Sequence, residues 1–361
     1  MEIKRLDPSQ HPEFDEHEEL AECRDPESGL HAFIAIHNRN LGPALGGCRM
    51  WPYQSSEEAI TDVLRLARGM TYKSAISELP LGGGKAVIIA DPKTQKNTDL
   101  LRAMGNFVNS LSGRYITAED AGTSVGDLQV MADVTSHVAG VNSRPGADGT
   151  PIDGDPSPFT AYGVFVGIMA SVLHKYAKTD LEGISVAIQG AGNVGGHLAK
   201  MLIDAGAKVY VADLYPEAIT NVLVECSVIP VEIGEIHSLD VDVFSPCALG
   251  GFINEQHLSE IKASIIAGAA NNQLASDDMG DRLFAAGKIY APDYLINSGG
   301  IIDIYYDREG YDYGKVREHI GKIAENLLEI YKESESQGMA TNRVADKIAE
   351  SRFIAPTVDA A

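Results

Sequence analysis

The amino-acid sequence predicts an α/β protein of two domains, on three observations. Strand-like and helix-like apolar runs alternate through its second half, a stretch rich in Pro and Gly interrupts it near the middle, and 361 residues exceed what one core usually serves. In the first half, Ala32–Ile36, Ala86–Ala90 and Tyr115–Ala118 read as strands. Ile60, Val63, Leu64, Ala67 and Met70 recur at helical spacing over Glu57–Tyr72, and Ser55, three residues before Glu58, supplies a capping signal. From Asn142 to Pro158, prolines and glycines deny any regular element a continuous run, which marks a domain linker. Beyond it come a helix over Phe159–Lys178, a strand over Ile184–Gln189, a helix over Val194–Ala205, a strand over Lys208–Asp213 and further strands near Val241 and Ile265. That order implies a doubly wound parallel sheet covered on both faces. Helices over Tyr313–Ser334 and Asn342–Arg352 close the chain.

Composition removes several function classes. With 51 acidic against 29 basic residues the formal charge is −22, which repels a polyanion, so no nucleic-acid partner is expected. The longest apolar runs, Val164–Leu173 and Ile265–Ala270, fall short of the roughly 18 residues that span a bilayer, and no membrane partner is expected. Met1 to Pro8 lacks the apolar stretch of a signal peptide, so a cytoplasmic location is expected. Cys23, Cys48, Cys226 and Cys247 are scattered, and the ten histidines form no recognised ligand spacing. No metal centre is therefore expected.

Gly190-Ala191-Gly192-Asn193-Val194-Gly195 follows the apolar segment Val186-Ala187-Ile188 and opens a helical stretch. In such a turn the first glycine permits the bend, the second lets the backbone approach a pyrophosphate and the third brings helix and strand together, while the helix N-terminus offers N–H groups to phosphate. Asp213 lies 18 residues beyond Gly195, at the end of the next strand, where a carboxylate accepts from ribose hydroxyls. It would repel a 2′-phosphate, and Leu214-Tyr215-Pro216 offers no cation in compensation, so NAD is the expected cofactor.

Leu81-Gly82-Gly83-Gly84-Lys85 fails as a phosphate loop, because Leu79 stands where the first glycine belongs and Ala86 where Ser or Thr must hold magnesium. Three glycines before a lysine instead suggest a backbone that a small substrate or nicotinamide ring approaches closely. Lys73 lies three residues after Met70 on the same face of the capped helix, and Asp120 ends a strand before the turn Ala121-Gly122-Thr123. Lys73, Lys85 and Asp120 all stand at element ends, where side chains from separate segments can converge.

Several segments then carry a resemblance: Leu41 to Met50, Gly69-Met70-Thr71-Tyr72-Lys73, Gly82 to Lys85, Ala118-Glu119-Asp120, Gly268 to Asn272 and Pro292 to Gly300. In this order they resemble the glutamate, leucine, phenylalanine and valine dehydrogenases, most closely the leucine branch, over about Ala32 to Arg352. The resemblance implies reversible oxidative deamination of an L-amino acid to a 2-oxo acid and ammonium. It implies that Lys73 binds the substrate carboxylate, that Lys85 activates the attacking water, and that Asp120 exchanges protons with the nitrogen. Gly46 and Asn272 would help to hold the amino acid, and Asn271 the nicotinamide. The specificity positions fall on Leu45, Ala118, Ile301 and Ile304, with Met70 nearby. Leu45 replaces the lysine of glutamate-using relatives, and an apolar pocket has no compensation for a buried charge. Branched aliphatic substrates are expected. Aromatic amino acids (phenylalanine or tryptophan) and a non-catalytic NAD-binding sensor are the alternatives.

The resemblance also sets the expected organisation. Residues 1–146 form a substrate-binding, catalytic and oligomerisation domain, rejoined by a C-terminal helical segment, 336–361. Residues 147–335 form a Rossmann-type NAD domain, and the working cleft lies between the two. Related enzymes are homo-oligomers, and the same is expected here.

Overall fold

Six strands build the first sheet: β1 (Glu2–Leu6), β2 (Glu19–Asp25), β3 (Leu30–Asn38), β4 (Ala44–Trp51), β5 (Gly82–Ile89) and β6 (Tyr115–Glu119). Their spatial order is β1-β2-β3-β5-β4-β6, antiparallel up to β5 and parallel across β5, β4 and β6. A strand covered on both faces must be apolar where both layers meet it, as β3 is from Ala32 to Ile36. Phe33 and Ala35 pack with Val63, Leu64 and Ala67 of α1 (Ser56–Ile76), whereas Ala32, Ile34 and Ile36 belong to the opposite core with Met104 and Phe107 of α2 (Thr98–Ser110) and Leu128 of α3 (Val125–Ala132). Ser55 caps α1 by accepting from the Glu58 amide at 3.1 Å; Glu58 in turn accepts from the Gln54 amide.

A computed structural model describes residues 1–146, 149, 151, 152, 154–248 and 250–354. They fall into two units: Met1–Asp155, Ile304–Tyr313 and Ala349–Ala361 form the first, Pro156–Asp303 and Gly314–Ile348 the second. The sequence places the division at 146/147 and the return at 336; the units part at 155/156, and the final return comes at Ala349. Part of the Pro- and Gly-rich stretch is held by the first unit. β7 (Arg144–Pro145) pairs with β8 (Pro151–Ile152), and Arg144 is buried with its guanidinium 5.7 Å from the Tyr311 ring centroid. Residues 147, 148, 150 and 153 of that stretch, and 355–361 at the C-terminus, lie outside the described residues.

The second unit alternates as expected: α4 (Ser157–Tyr176), β9 (Ser185–Gln189), α5 (Asn193–Asp204), β10 (Lys208–Ala212), α6 (Pro216–Glu225), β11 (Ile229–Pro230), a 3₁₀ turn (Ile236–Ser238), β12 (Val243–Pro246), α7 (Glu255–Glu260), β13 (Ile265–Ile266), α8 (Asp278–Ala285) and β14 (Ile289–Tyr290). All six strands are parallel in the order β11-β10-β9-β12-β13-β14. Sequence direction therefore reverses between β9 and β12, and in such sheets ligands bind beyond the carboxyl ends of the strands at that point. The short α9 (Asp293–Ile296) follows, then α10 (Gly299–Glu309), α11 (Tyr313–Gln337) and α12 (Thr341–Phe353). One expectation fails: α4 is long and apolar enough in composition to span a bilayer. Half of that stretch is buried, with Val164, Ile168 and Val172 fully enclosed, so burial accounts for its composition.

Candidate active site

Strand register gathers Leu45, Lys85 and Ala118 of the first unit on one sheet face. Leu45 pairs with Gly83 and Ile116, Gly47 with Ala118, and Arg49 with Val87. Paired residues point the same way and side chains alternate along a strand. Leu45, Gly47 and Arg49 of β4, Gly83 and Lys85 of β5, and Ala118 of β6 therefore share the face that α1 covers. Asp120 follows β6, its amide donating to Thr123 Oγ1 at 3.1 Å.

Lys85 is only 5% exposed, and its Nζ stands 2.7 Å from Asp120 Oδ2. Arg49 Nε donates to the same oxygen at 3.1 Å, and its Nη1 donates at 2.9 Å to Asp62, which also accepts from the Tyr53 hydroxyl. Burial pushes the Asp120 carboxyl up, but Lys85 and Arg49 outweigh it and hold the group down at about 2. A carboxylate thus persists at neutral pH beside two cations. Sequence reasoning missed Arg49. The available signal was a cation between Cys48 and Met50, both fully buried, since a charge on an interior strand needs an acid partner.

The glycines before Lys85 serve packing, which corrects the expectation that substrate or nicotinamide approaches them. A Cβ on Gly83 would lie 2.0 Å from the Thr71 amide nitrogen, one on Gly82 2.2 Å from the Asn38 carbonyl oxygen, and one on Gly84 2.8 Å from the Tyr115 ring. Helix and neighbouring strands already occupy that space. At Gly46 a Cβ would meet the Gly84 carbonyl oxygen at 1.8 Å, and at Gly47 the Asp120 Cβ at 2.6 Å. The Tyr115 hydroxyl donates to the Gly46 carbonyl at 2.7 Å.

Met70 and Lys73 occupy the last two turns of α1, both half-buried. Leu45 and Ile116 line a pocket of about 150 Å³ with Pro43, Leu81, Tyr305 and Arg308. Ile304 is buried in the first unit near Gly140, whereas Ile301 is buried in the second.

In the second unit the three glycines of the turn have different surroundings. Gly190 adopts φ +105°, Gly195 lies so close to the turn that a Cβ would be 1.9 Å from the Gly190 carbonyl oxygen, and Gly192 has open space where its side chain would be. Gly192 is the N-cap of α5, with Asn193 and Val194 in its first turn. Asp213 accepts from the Ala191 amide at 2.6 Å and the Tyr215 amide at 2.8 Å. An open backbone at a helix N-terminus with a carboxylate beside it fits a dinucleotide's pyrophosphate and ribose. Asn271 and Asn272 are exposed after β13; Asn272 has φ +50°, and the Asn297 amide group donates to Asn271 Oδ1 at 2.8 Å.

Comparison with known families matches residues 17–137 to the Glu/Leu/Phe/Val dehydrogenase, dimerisation domain. Residues 155–214 and 217–355 match Glutamate/Leucine/Phenylalanine/Valine dehydrogenase. The leucine dehydrogenase of Geobacillus stearothermophilus is 44% identical over 94% of this chain and 91% of its own. The phenylalanine dehydrogenase of Bacillus thermotolerans is 42% identical over 94% and 88%. Among solved structures, L-tryptophan dehydrogenase from Nostoc punctiforme aligns with a TM-score of 0.80 and 42% identity, covering 94% of this chain and 96% of that one.

Proposed function

We propose, since this chain belongs to the glutamate/leucine/phenylalanine/valine dehydrogenase family, that it catalyses NAD-dependent, reversible oxidative deamination of branched-chain aliphatic L-amino acids (leucine, isoleucine, valine) to 2-oxo acids and ammonium. The observation that carries this reading is the Lys85–Asp120 pair on the same face as the apolar Leu45 and Ala118. An acidic side chain would lack a cation at Leu45, and Arg308 of the same pocket already donates to the Ser136 and Val138 carbonyls; desolvating a carboxylate unpaired costs several kcal/mol.

In this reading Lys73 takes the substrate carboxylate. Asp120, ionised beside Lys85 and Arg49, receives the substrate ammonium and removes a proton from its nitrogen. The nicotinamide cofactor, when bound, supplies the two-electron acceptor for the hydride on Cα. Lys85, having first released its ammonium proton to solvent, then orients a water molecule and takes its proton as the oxygen adds to the imine carbon; Asp120 returns a proton to the departing nitrogen, and the hydroxyl proton leaves with the ammonia as ammonium. Gly190, Gly192, Asn193, Val194 and Gly195 hold the pyrophosphate, Asp213 the ribose and Asn271 the nicotinamide. Asp213, with Leu214 and Tyr215 exposed beside it and no cation among them, selects NAD over NADP. Gly46, Met70, Asn272, Ile301 and Ile304 complete substrate recognition. The chain works as a homo-oligomer, in keeping with the dimerisation domain matched over 17–137.

Relatives named for tryptophan and phenylalanine are nearly as similar as those named for leucine, so aromatic substrates are the second reading. A panel of L-amino acids with NAD or NADP, followed by nicotinamide absorbance, tests both. Reduction with leucine, isoleucine and valine at much higher kcat/KM than with phenylalanine, tryptophan or glutamate supports the first. The reverse order replaces it with the second, and no reduction with any amino acid overturns both.

A further inference from the structure

His237 lies on the 3₁₀ turn before β12, and His257 and Glu260 lie on α7 after it. An i, i+3 spacing puts His257 and Glu260 on one helix face. One donor atom from each of the three residues lies within 4.8 Å of the other two. His237 Nε2 stands 2.6 Å from Glu260 Oε2, and the two imidazole centroids are 4.9 Å apart.

We propose that these three side chains form a binding site for a divalent transition-metal ion of the zinc class. Two imidazoles and one carboxylate are a donor set that such ions take, with a fourth position left for water. Two further features support a metal over a plain ion pair. His257 Nδ1 is 2.7 Å from the Phe252 carbonyl oxygen, which can only accept, so Nδ1 carries the hydrogen and Nε2 keeps its lone pair. That bond to a backbone carbonyl is the outer contact that metal-ligating histidines typically make, and it is far shorter than the 3.4 Å approach of the Asn254 amide nitrogen. The His257 ring also stacks on Phe252 at 4.1 Å and 15°, which fixes its plane. On the other side, buried His237 presents Nε2 toward Glu260; its Nδ1 has no hydrogen-bond partner among the described residues, so the outer contact is made by His257 and not by His237. Glu260 is 42% exposed and gives an ion a route from solvent.

Tetrahedral bonds of about 2.0–2.2 Å set ligand atoms roughly 3.3–3.6 Å apart. Binding therefore opens the His237–Glu260 contact slightly and draws His257 inward, movements within reach of side-chain torsions. The site precedes β12 and flanks the end of α7 that leads to β13, so it sits at the amino ends of the parallel strands. The glycine turn follows the carboxyl end of β9, at the opposite edge. The ion would clamp the two connections flanking β12 and would take no part in hydride transfer.

Full-length protein stripped with chelator and titrated with Zn²⁺ by calorimetry, and with Co²⁺ by visible absorption, tests the site. One saturable equivalent per chain is expected, with Co²⁺ d–d bands but no thiolate charge-transfer band, and with a melting temperature raised by Zn²⁺. His257→Ala and Glu260→Gln should each weaken binding roughly tenfold or more. Melting curves of the metal-free variants establish that both fold. Absence of saturable binding below about 1 mM, binding undiminished by both substitutions, or a thiolate band overturns the proposal.

Discussion

Lys85 Nζ and Asp120 Oδ2 meet at 2.7 Å although β5 and β6, which position them, are separated by β4. Gly47 on the intervening strand makes this possible, because any side chain there would strike Asp120. Lys85→Ala is expected to lower kcat by roughly 10²–10⁴ with cofactor affinity unchanged. Steady-state kinetics beside a fluorescence titration of the reduced cofactor checks this. Near-normal turnover would remove Lys85 from the chemistry.

Arg49→Gln leaves Lys85 as the one remaining cation on Asp120. The carboxyl should rise from about 2 toward the ordinary aspartate range near ~3.9. The sign follows from linkage: a depressed carboxyl stabilises the fold above its unfolded pKa, and that contribution is lost as pH falls toward 2. The variant should therefore have a smaller loss of stability over that acid interval. Carboxyl carbon NMR reads the shift directly, and an unmoved Asp120 would refute the role given to Arg49.

Three glycines within one unit should respond in three ways. Gly83→Ala drives a methyl into the Thr71 backbone and should cost about 3 kcal/mol or prevent folding. Gly47→Ala should reduce both turnover and stability, because the methyl meets the Asp120 Cβ and the Glu119 carbonyl oxygen together. Gly69→Ala, on the exposed side of α1 with nothing within 4 Å, should stabilise by up to ~1 kcal/mol through helix propensity. Denaturant titration ranks them.

Asp213→Ala should weaken NAD and narrow the preference over NADP, since the carboxylate would no longer receive ribose hydroxyls or oppose a 2′-phosphate. The ratio of kcat/KM for the two cofactors measures it. Unchanged preference would take Asp213 out of the ribose site.

His37 is buried against His17 and hydrogen-bonded to Thr71 at 2.8 Å, with Asp15 at 3.6 Å. Burial lowers its pKa to about 4, with His17 adding to the effect and Asp15 opposing it. Between about pH 6.5 and 4 the unfolded chain binds a proton that the folded chain refuses, so stability should fall with pH by on the order of 3 kcal/mol. Imidazole NMR should find His37 neutral at about pH 6 and titrating only near the acid end of that interval; an ordinary titration near ~6.5 would contradict it.

Much of the second unit was legible, because β9, β10 and their helices carry uninterrupted apolar periodicity and the glycine turn has fixed spacing. The first unit was less so. β4 went unread because Gly46 and Gly47 interrupt its apolar run, and β1 because an edge strand exposing most of its residues has no apolar face to reveal it. Asp120 does follow the end of β6, whereas Lys85, read as standing at an element end, is the fourth residue of β5 because the preceding glycines belong to the strand; their contact depends on the order of three strands, which periodicity does not contain. The triple glycine was misassigned because residues lacking side chains look alike in sequence whether a ligand or the protein's own backbone fills the space.

Contact between α1 and the bare backbone of Gly83 has an evolutionary corollary. The spacing between the helix bearing Lys73 and the strand bearing Lys85 is set where the Thr71 main chain and its short hydroxyl side chain lie against the bare main chain of Gly83. Walls such as Leu45 and Ala118 can then drift in size without disturbing that gauge, so selectivity is free to diversify while the reacting groups keep their positions.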